Sequence, residues 1–201
     1  PEEALEHADA VVVGEGEGAW DELLDDFLAG RMRERYESDT PHDLAGLPRP
    51  RLDLLRRSAY GLPNVLETAR GCPHACSYCA VSLFWGRRFR FRPVEEVVDE
   101  IKAMPPGELV FVDDNIAGSH QRAKRLFEAI IPLKRRWSSQ SDIRIGEDPE
   151  LLKLAARSGC KWLFIGIESI NAENLAKAGK SKVNVVEKFR ESIARIQKAG
   201  I

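Results

Sequence analysis

From Val65 onward, short apolar runs alternate with amphipathic stretches, and this alternation limits the possible folds more than any other feature. VLETA (65–69) reads as a strand. Pro93 opens a helix with Val94, Val97, Val98 and Ile101 along one face. ELVFV (108–112) is the next strand. Ser119 begins a helix carrying Ala123, Leu126, Phe127, Ile130 and Ile131, and Pro132 kinks or ends it. Residues 139–145 give a weaker strand. Asp148-Pro149-Glu150 starts a helix and Gly159 closes it. WLFIGI (162–167) reads as a strongly buried strand. Asn184 with Glu187 predicts a capping-box-like start to a last helix, with Val186, Phe189, Ile193 and Ile196 inward.

Four strand–helix units in succession predict an α/β fold with a parallel sheet and right-handed crossovers, open or closed into a barrel. Either way, ligands gather at the carboxyl ends of the strands. Three polar segments fall there. A cysteine cluster, GCPHACSYC (71–79), follows the first strand, Asp113-Asp114-Asn115 follows the second, and Glu168-Ser169 follows the fourth.

Ahead of these units, ADAVVV (8–13) reads as a strand and GEGEG as a turn. A helix over about 19–29 carries Trp20, Leu23, Leu24, Phe27 and Leu28 on one face, with Gly30 as its stop. One strand and one helix cannot bury their own faces, so residues 1–37 read as the tail of a preceding α/β domain. Residues 38–64 hold Pro41, Pro48, Pro50 and Pro63 with Gly46 and Gly61, and read as a linker. Residues 65–201 form the main domain, expected to be truncated at its carboxyl end.

The chain's 201 residues and 43% hydrophobic content suit one sizeable core, or one domain and part of another. A net charge of -2 does not suggest a polyanion-binding protein. No apolar run is long enough to span a bilayer. Arg87, Arg88, Arg90 and Arg92 form a run read mainly as solvated charge, one or two of which could balance an anionic cluster; no matching basic field points to nucleic acid.

Three of the four cysteines, Cys72, Cys76 and Cys79, lie within nine residues. Such crowding in a cysteine-poor chain points to a metal site in a reducing compartment. A buried structural role suits Cys160, which sits between a helix stop and a core strand. Zinc needs four ligands, so His74 or Cys160 would have to complete the set, and His74 reads as a solvent-facing turn residue. An iron–sulfur cubane normally takes four thiolates, and three leave one iron open.

Cys-x3-Cys-x2-Cys with Tyr78 before the last cysteine, in a loop after the first strand of a βα-repeat domain, resembles the radical S-adenosylmethionine (SAM) superfamily. The resemblance implies a partial (β/α) barrel and a 4Fe-4S cluster on Cys72, Cys76 and Cys79. It implies SAM at the fourth iron and reductive cleavage to a 5′-deoxyadenosyl radical. It also implies cofactor contacts from Tyr78, from Asp113, Asp114 and Asn115 toward the methionyl amine, from Gln140, and from Glu168 toward the ribose hydroxyls. No catalytic residue is named by it.

HADAVVVGEGEGAWDELLDDFLAG, PRPRLDLL (48–55), FVDDNIAG, the W-x2-Q segment (137–140) and FIGIES resemble the cobalamin-dependent branch of that superfamily. This implies that residues 1–37 end a Rossmann-like cobalamin-binding domain, with cobalamin a further cofactor and methylation of an unactivated carbon the usual reaction. Ring contraction, oxidation and methylthiolation remain alternatives, as does a non-catalytic iron–sulfur or zinc module. RNA methylthiotransferases carry three further cysteines in a different amino-terminal domain, and residues 1–64 contain none. Expected partners are a small-molecule or lipid-like substrate and a one-electron reductant such as flavodoxin or ferredoxin, in the cytoplasm. The glycines Gly14, Gly16 and Gly18 fit a cofactor passage or a simple turn.

Overall fold

The computed structural model describes residues 1–38, 40–61 and 64–201. Pro63, read above as punctuation, lies outside the described residues. The chain divides into two compact units, Pro1–Asp43 and Leu44–Ile201.

The first unit is a small βαβ arrangement. A short helix α1 (Glu2–Leu5) precedes β1 (Val11–Gly14), helix α2 (Trp20–Leu28) and β2 (Arg35–Ser38). β1 and β2 pair in parallel, Val11 against Arg35 through Gly14 against Ser38. The second strand lies at the edge of the stretch read as linker. Tyr36 is buried, and its hydroxyl donates to the buried Asp26 carboxylate at 3.1 Å. Arg31 pairs with the same carboxylate at 3.1 Å, so the carboxylate is compensated. Gly14 and Gly18 are explained by close packing. A Cβ would stand 2.5 Å from the Ser38 carbonyl oxygen at Gly14, and 2.3 Å from Ser38 Oγ at Gly18. The apolar face of α2 forms as predicted, but Trp20, Phe27 and Leu28 on it are exposed.

The second unit holds the predicted parallel sheet. β3 (Val65–Leu66), β6 (Leu109–Phe111), β7 (Trp137–Ser141) and β8 (Cys160–Ile165) lie side by side in chain order, all parallel. Sequential parallel order is that of an arc of a (β/α) barrel. Helices α4 (Val94–Ala103), α5 (His120–Ile130) and α6 (Pro149–Ser158) connect these strands, and α8 (Val186–Lys198) follows them. Phe127 is fully buried and packs on Trp137, ring centroids 5.0 Å apart, while Phe111 meets the same indole edge-on at 5.4 Å. The indole N–H donates to Ser158 Oγ at 3.0 Å, so Trp137 buries its bulk without an orphaned donor.

Several expectations change. VLETA is a strand only over Val65–Leu66, because a second pairing begins at once. β4 (Ala69–Arg70) runs antiparallel to β5 (Arg90–Phe91). The arginine run is therefore partly structural: Arg92 is buried and paired with the buried Glu100 at 2.6 Å. The weaker strand starts earlier than predicted, at Trp137, and Ile143–Glu147 is a 3₁₀ turn. β8 is not buried on both faces, since Trp162 and Phe164 are 69% and 74% exposed on one of them. Asn184 does not cap the last helix: Val185 holds that position, and Asn184 Oδ1 has no partner among the described residues. Within the predicted linker, Leu44 is buried and Leu52 packs on the core. Asn64, also buried, donates to the Pro105 and Glu108 carbonyls.

The aromatic cluster gives a direct stability test. Phe127→Ala should cost about 3 to 5 kcal/mol, the usual range for deleting a buried aromatic ring. Urea unfolding checks it, and a loss below about 1 kcal/mol would mean the cavity collapses or the cluster is not packed as described.

Candidate active site

The hairpin of β4 and β5 brackets the cysteine loop and fixes both of its ends. Gly71 turns the chain with φ 88°, and a Cβ there would stand 2.3 Å from the Arg88 carbonyl oxygen. Only glycine meets both demands. Inside the loop Cys79 N–H donates to the Cys76 carbonyl at 3.1 Å. A short helix α3 (Val81–Phe84) follows. The loop also rests on the turn after helix α7 (Ala172–Lys177): Ser77 N–H donates to the Ala178 carbonyl at 3.1 Å.

This loop and three strand exits surround one cavity of about 200 Å³. Cys72, Cys76, Cys79 and Tyr78 line it from the loop. Asp114 and Asn115 come from the end of β6, Gln140 from β7, and Glu168 from the turn after β8. The three polar segments read from the sequence thus converge, with one exception.

The exception is Asp113. It is 2% exposed and does not line the cavity. Its carboxylate accepts from Thr68 N–H at 2.6 Å, from the Thr68 hydroxyl, and from Ala69 N–H at 3.3 Å. It staples the end of β3 to the end of β6 and, buried outside the cavity, presents no oxygen to a cofactor. Asp114 does face the cavity, and Gly71 N–H hydrogen-bonds its carboxylate; burial raises its pKa all the same.

Asn115 is largely spent as well. Its amide donates to Asp142 at 2.8 Å and accepts from the Asp142 main-chain N–H at 3.2 Å. Asp142, His74 and Arg144 were not anticipated as a group. Arg144 pairs with Asp142 at 2.7 Å, and His74 Nε2 stands 3.6 Å from the same carboxylate and 3.2 Å from the Arg144 guanidinium. Burial opposes ionisation of Asp142. Hydrogen bonds from His74, Arg144 and Asn115 outweigh it and hold the carboxyl well below the usual range. His74, read as a solvent-facing turn, instead turns inward against this carboxylate.

Glu168 has a left-handed backbone, φ 57°. Its carboxylate accepts from Lys180 at 3.0 Å and from Asn184 at 2.9 Å, and it lines the same cavity as Tyr78. Burial, then this carboxylate, push the Tyr78 phenol well above its ordinary value.

The donor set fits an iron–sulfur cubane. All four cysteines are free thiols. Cys160 is fully buried at the start of β8, the strand end remote from the cavity, where burial pushes its thiol up to about 12. It is therefore not a fourth ligand. Among the described residues no three His, Cys, Asp or Glu side chains gather as ligands of a single ion. A cubane needs no such point, because each thiolate binds a different iron. Burial raises the Cys72 thiol, while a hydrogen bond from the His74 main-chain N–H favours its thiolate.

The site gathers three free thiols and two carboxylates around one cavity at the sheet's carboxyl edge. The Radical SAM superfamily matches residues 66–201, and the chain belongs to that superfamily. Its members use a 4Fe-4S cluster and SAM. Two curated relatives come from Chlorobaculum tepidum. Bacteriochlorophyllide d C-8(2)-methyltransferase is 30% identical over 100% of this chain and 48% of its own length. Bacteriochlorophyllide d C-12(1)-methyltransferase is 29% identical over 98% of this chain and 45% of its own length. The chain thus spans about half the length of these relatives. A solved structure of TsrM from Kitasatospora setae, a radical SAM methyltransferase with tryptophan substrate and aza-SAM bound, superposes with a TM-score of 0.77. It is 22% identical and covers 94% of this chain and 44% of TsrM. Another TsrM structure, with cobalamin and a [4Fe-4S] cluster bound, gives 0.68 at 23% identity over 80% of this chain and 34% of that one. These likenesses show the fold.

Asp113 yields a pH prediction. Burial, partly offset by its hydrogen bonds, raises its carboxyl from 3.8 to about 6. Between those values the native state holds a proton that the unfolded chain has lost. Stability from this group therefore falls as pH rises from about 4 to about 6 and is level above. In Asp113→Asn the slope of the urea midpoint across that window should flatten; an unchanged slope would assign the titration elsewhere.

Proposed function

We propose that Cys72, Cys76 and Cys79 hold a 4Fe-4S cluster, with SAM bound beside it, and that the protein methylates an unactivated carbon with cobalamin. The observation that carries this reading is the single cavity lined by three free thiols, the Asp114 carboxylate and the Glu168 carboxylate. When bound, the cluster would supply the electron that cleaves SAM, and cobalamin the methyl carrier. The chain's own residues then bind and orient. Asp114 accepts from the methionyl ammonium, the role expected of the whole Asp113-Asp114-Asn115 run. Glu168 accepts from the ribose hydroxyls, and Gln140 offers an amide to the same ligand. Asn115 acts by holding Asp142 rather than by contact. Tyr78 closes the cavity wall beside Cys76.

Residues 1–37 are proposed to end a cobalamin-binding domain. Support comes from the βαβ arrangement of the first unit and from its resemblance to that branch of the superfamily. A substrate of small-molecule or lipid-like kind and a flavodoxin- or ferredoxin-like reductant in the cytoplasm complete the reading. Among the described residues no helix is long and apolar enough to cross a membrane.

Anaerobic reconstitution with iron and sulfide, followed by electron paramagnetic resonance of the reduced protein, tests the cluster. A 4Fe-4S signal that shifts on adding SAM is expected. Cys76→Ala should lose cluster iron and sulfide while keeping its far-ultraviolet circular dichroism. Full iron and sulfide in that variant would overturn the ligand assignment.

A further inference from the structure

We infer that Lys180 and Asn184 are positioning residues that latch the Glu168 carboxylate into the cavity from a turn that also packs on the cysteine loop. The inference rests on the reading in which Glu168 meets the ribose of SAM.

The latch follows from what Glu168 requires. A glutamate at φ 57° pays steric strain that glycine would not, so other contacts must hold it there. Gly166 makes room: a Cβ on it would stand 2.3 Å from Glu168 Oε1. The side chain is then gripped at both oxygens. Lys180 Nζ donates to Oε1 at 3.0 Å, and Asn184 Nδ2 donates to Oε2 at 2.9 Å. The same amide donates to the Gly166 and Ile167 carbonyls, each at 2.9 Å, and Lys180 Nζ to the Gly166 carbonyl at 3.4 Å. Asn184 is 2% exposed and the Lys180 side chain 12%, so neither is a loosely solvated partner.

Both latch residues sit on one turn. Asn184 N–H donates to the Lys180 carbonyl at 2.9 Å, and Lys180 N–H to the Leu175 carbonyl at 2.8 Å. That turn also touches the cysteine loop. Gly179, at φ 71°, packs so closely that a Cβ would stand 2.8 Å from the Ala75 carbonyl oxygen. With the Ser77–Ala178 hydrogen bond, this close contact joins the turn to the cysteine loop. A charge-assisted grip on both oxygens leaves the carboxylate its remaining lone pairs for a diol.

The test uses cluster-loaded protein and reads ligand affinity by calorimetry and by the ligand-induced change in the reduced-cluster spectrum. Lys180→Met should weaken SAM about tenfold, the scale of one charge-assisted hydrogen bond lost. Iron, sulfide and the spectrum without ligand should stay as in the parent. L-methionine, which lacks the ribose, should keep its parental effect on the cluster, while 5′-deoxyadenosine should weaken with SAM. Glu168→Gln should weaken SAM similarly, and the double variant should be no worse than the weaker single, because both act on one contact. Additive losses, or a loss of methionine together with SAM, would overturn the latch. So would parental SAM affinity in both Lys180→Met and Asn184→Ala while Glu168→Gln is impaired, and that outcome leaves the ribose assignment standing. No effect of Glu168→Gln would sink the ribose assignment itself. If Lys180→Met fails to load the cluster, Lys180→Gln carries the same test.

Discussion

The buried carboxylate of Asp113 decides where the cysteine loop begins. Parallel neighbours β3 and β6 are joined by very few main-chain bonds, since β3 is only Val65–Leu66. Beyond Leu66 the ladder would fray. Asp113 replaces it by accepting from Thr68 and Ala69, one turn before Gly71. Burying a carboxylate is costly unless its lone pairs are used, and three donors use them here. The hairpin of β4 and β5 then starts from a fixed point, and the three thiols inherit their position from it.

A second buried carboxylate does the corresponding work at the next strand. Asp142 gathers Asn115, Arg144 and His74, which belong to three different segments. A network of this kind is worth little as net stability, because desolvation offsets much of the attraction. Its value is geometric. Removing any one partner leaves a buried group unpaired, so the alternatives to the observed arrangement are expensive. The two aspartates differ in direction of titration for this reason. Burial raises Asp113 and its neutral donors only partly offset this, whereas at Asp142 the hydrogen bonds from His74, Arg144 and Asn115 outweigh burial and hold the carboxyl low.

The βα order, most helix boundaries and the grouping of three cysteines after the first strand were legible because they rest on local signals. Asp148 accepts from Leu151 N–H and Gly159 takes φ 102°, as their neighbours in sequence imply. Period-two alternation also held the answer for Asp113, although the motif was read as one polar run. Phe111 points into the core, so Asp113 must share its face and Asp114 must oppose it. The strand over Trp162 and Phe164 misled for the opposite reason. An apolar run shows that a strand can be buried on both faces, and it does not show that both faces are covered. His74, Lys180 and Asn184 gave no local sign of these contacts, since their partners lie 12 to 70 residues away.

Close approach without side chains is what lets these distant segments share one cavity. Gly71 sits against Arg88, Gly166 under the Glu168 carboxylate, and Gly179 against Ala75. Each lies where a Cβ would collide with the atoms packed against it, and Gly71 and Gly179 also need a positive φ. Polar side chains then fill the space between the loops and pair across it. The glycines set how near the backbone segments come, and the carboxylates set which donors they meet. Neither alone would assemble the site, because close packing without pairing leaves orphaned charges and pairing without close packing leaves the thiols unplaced.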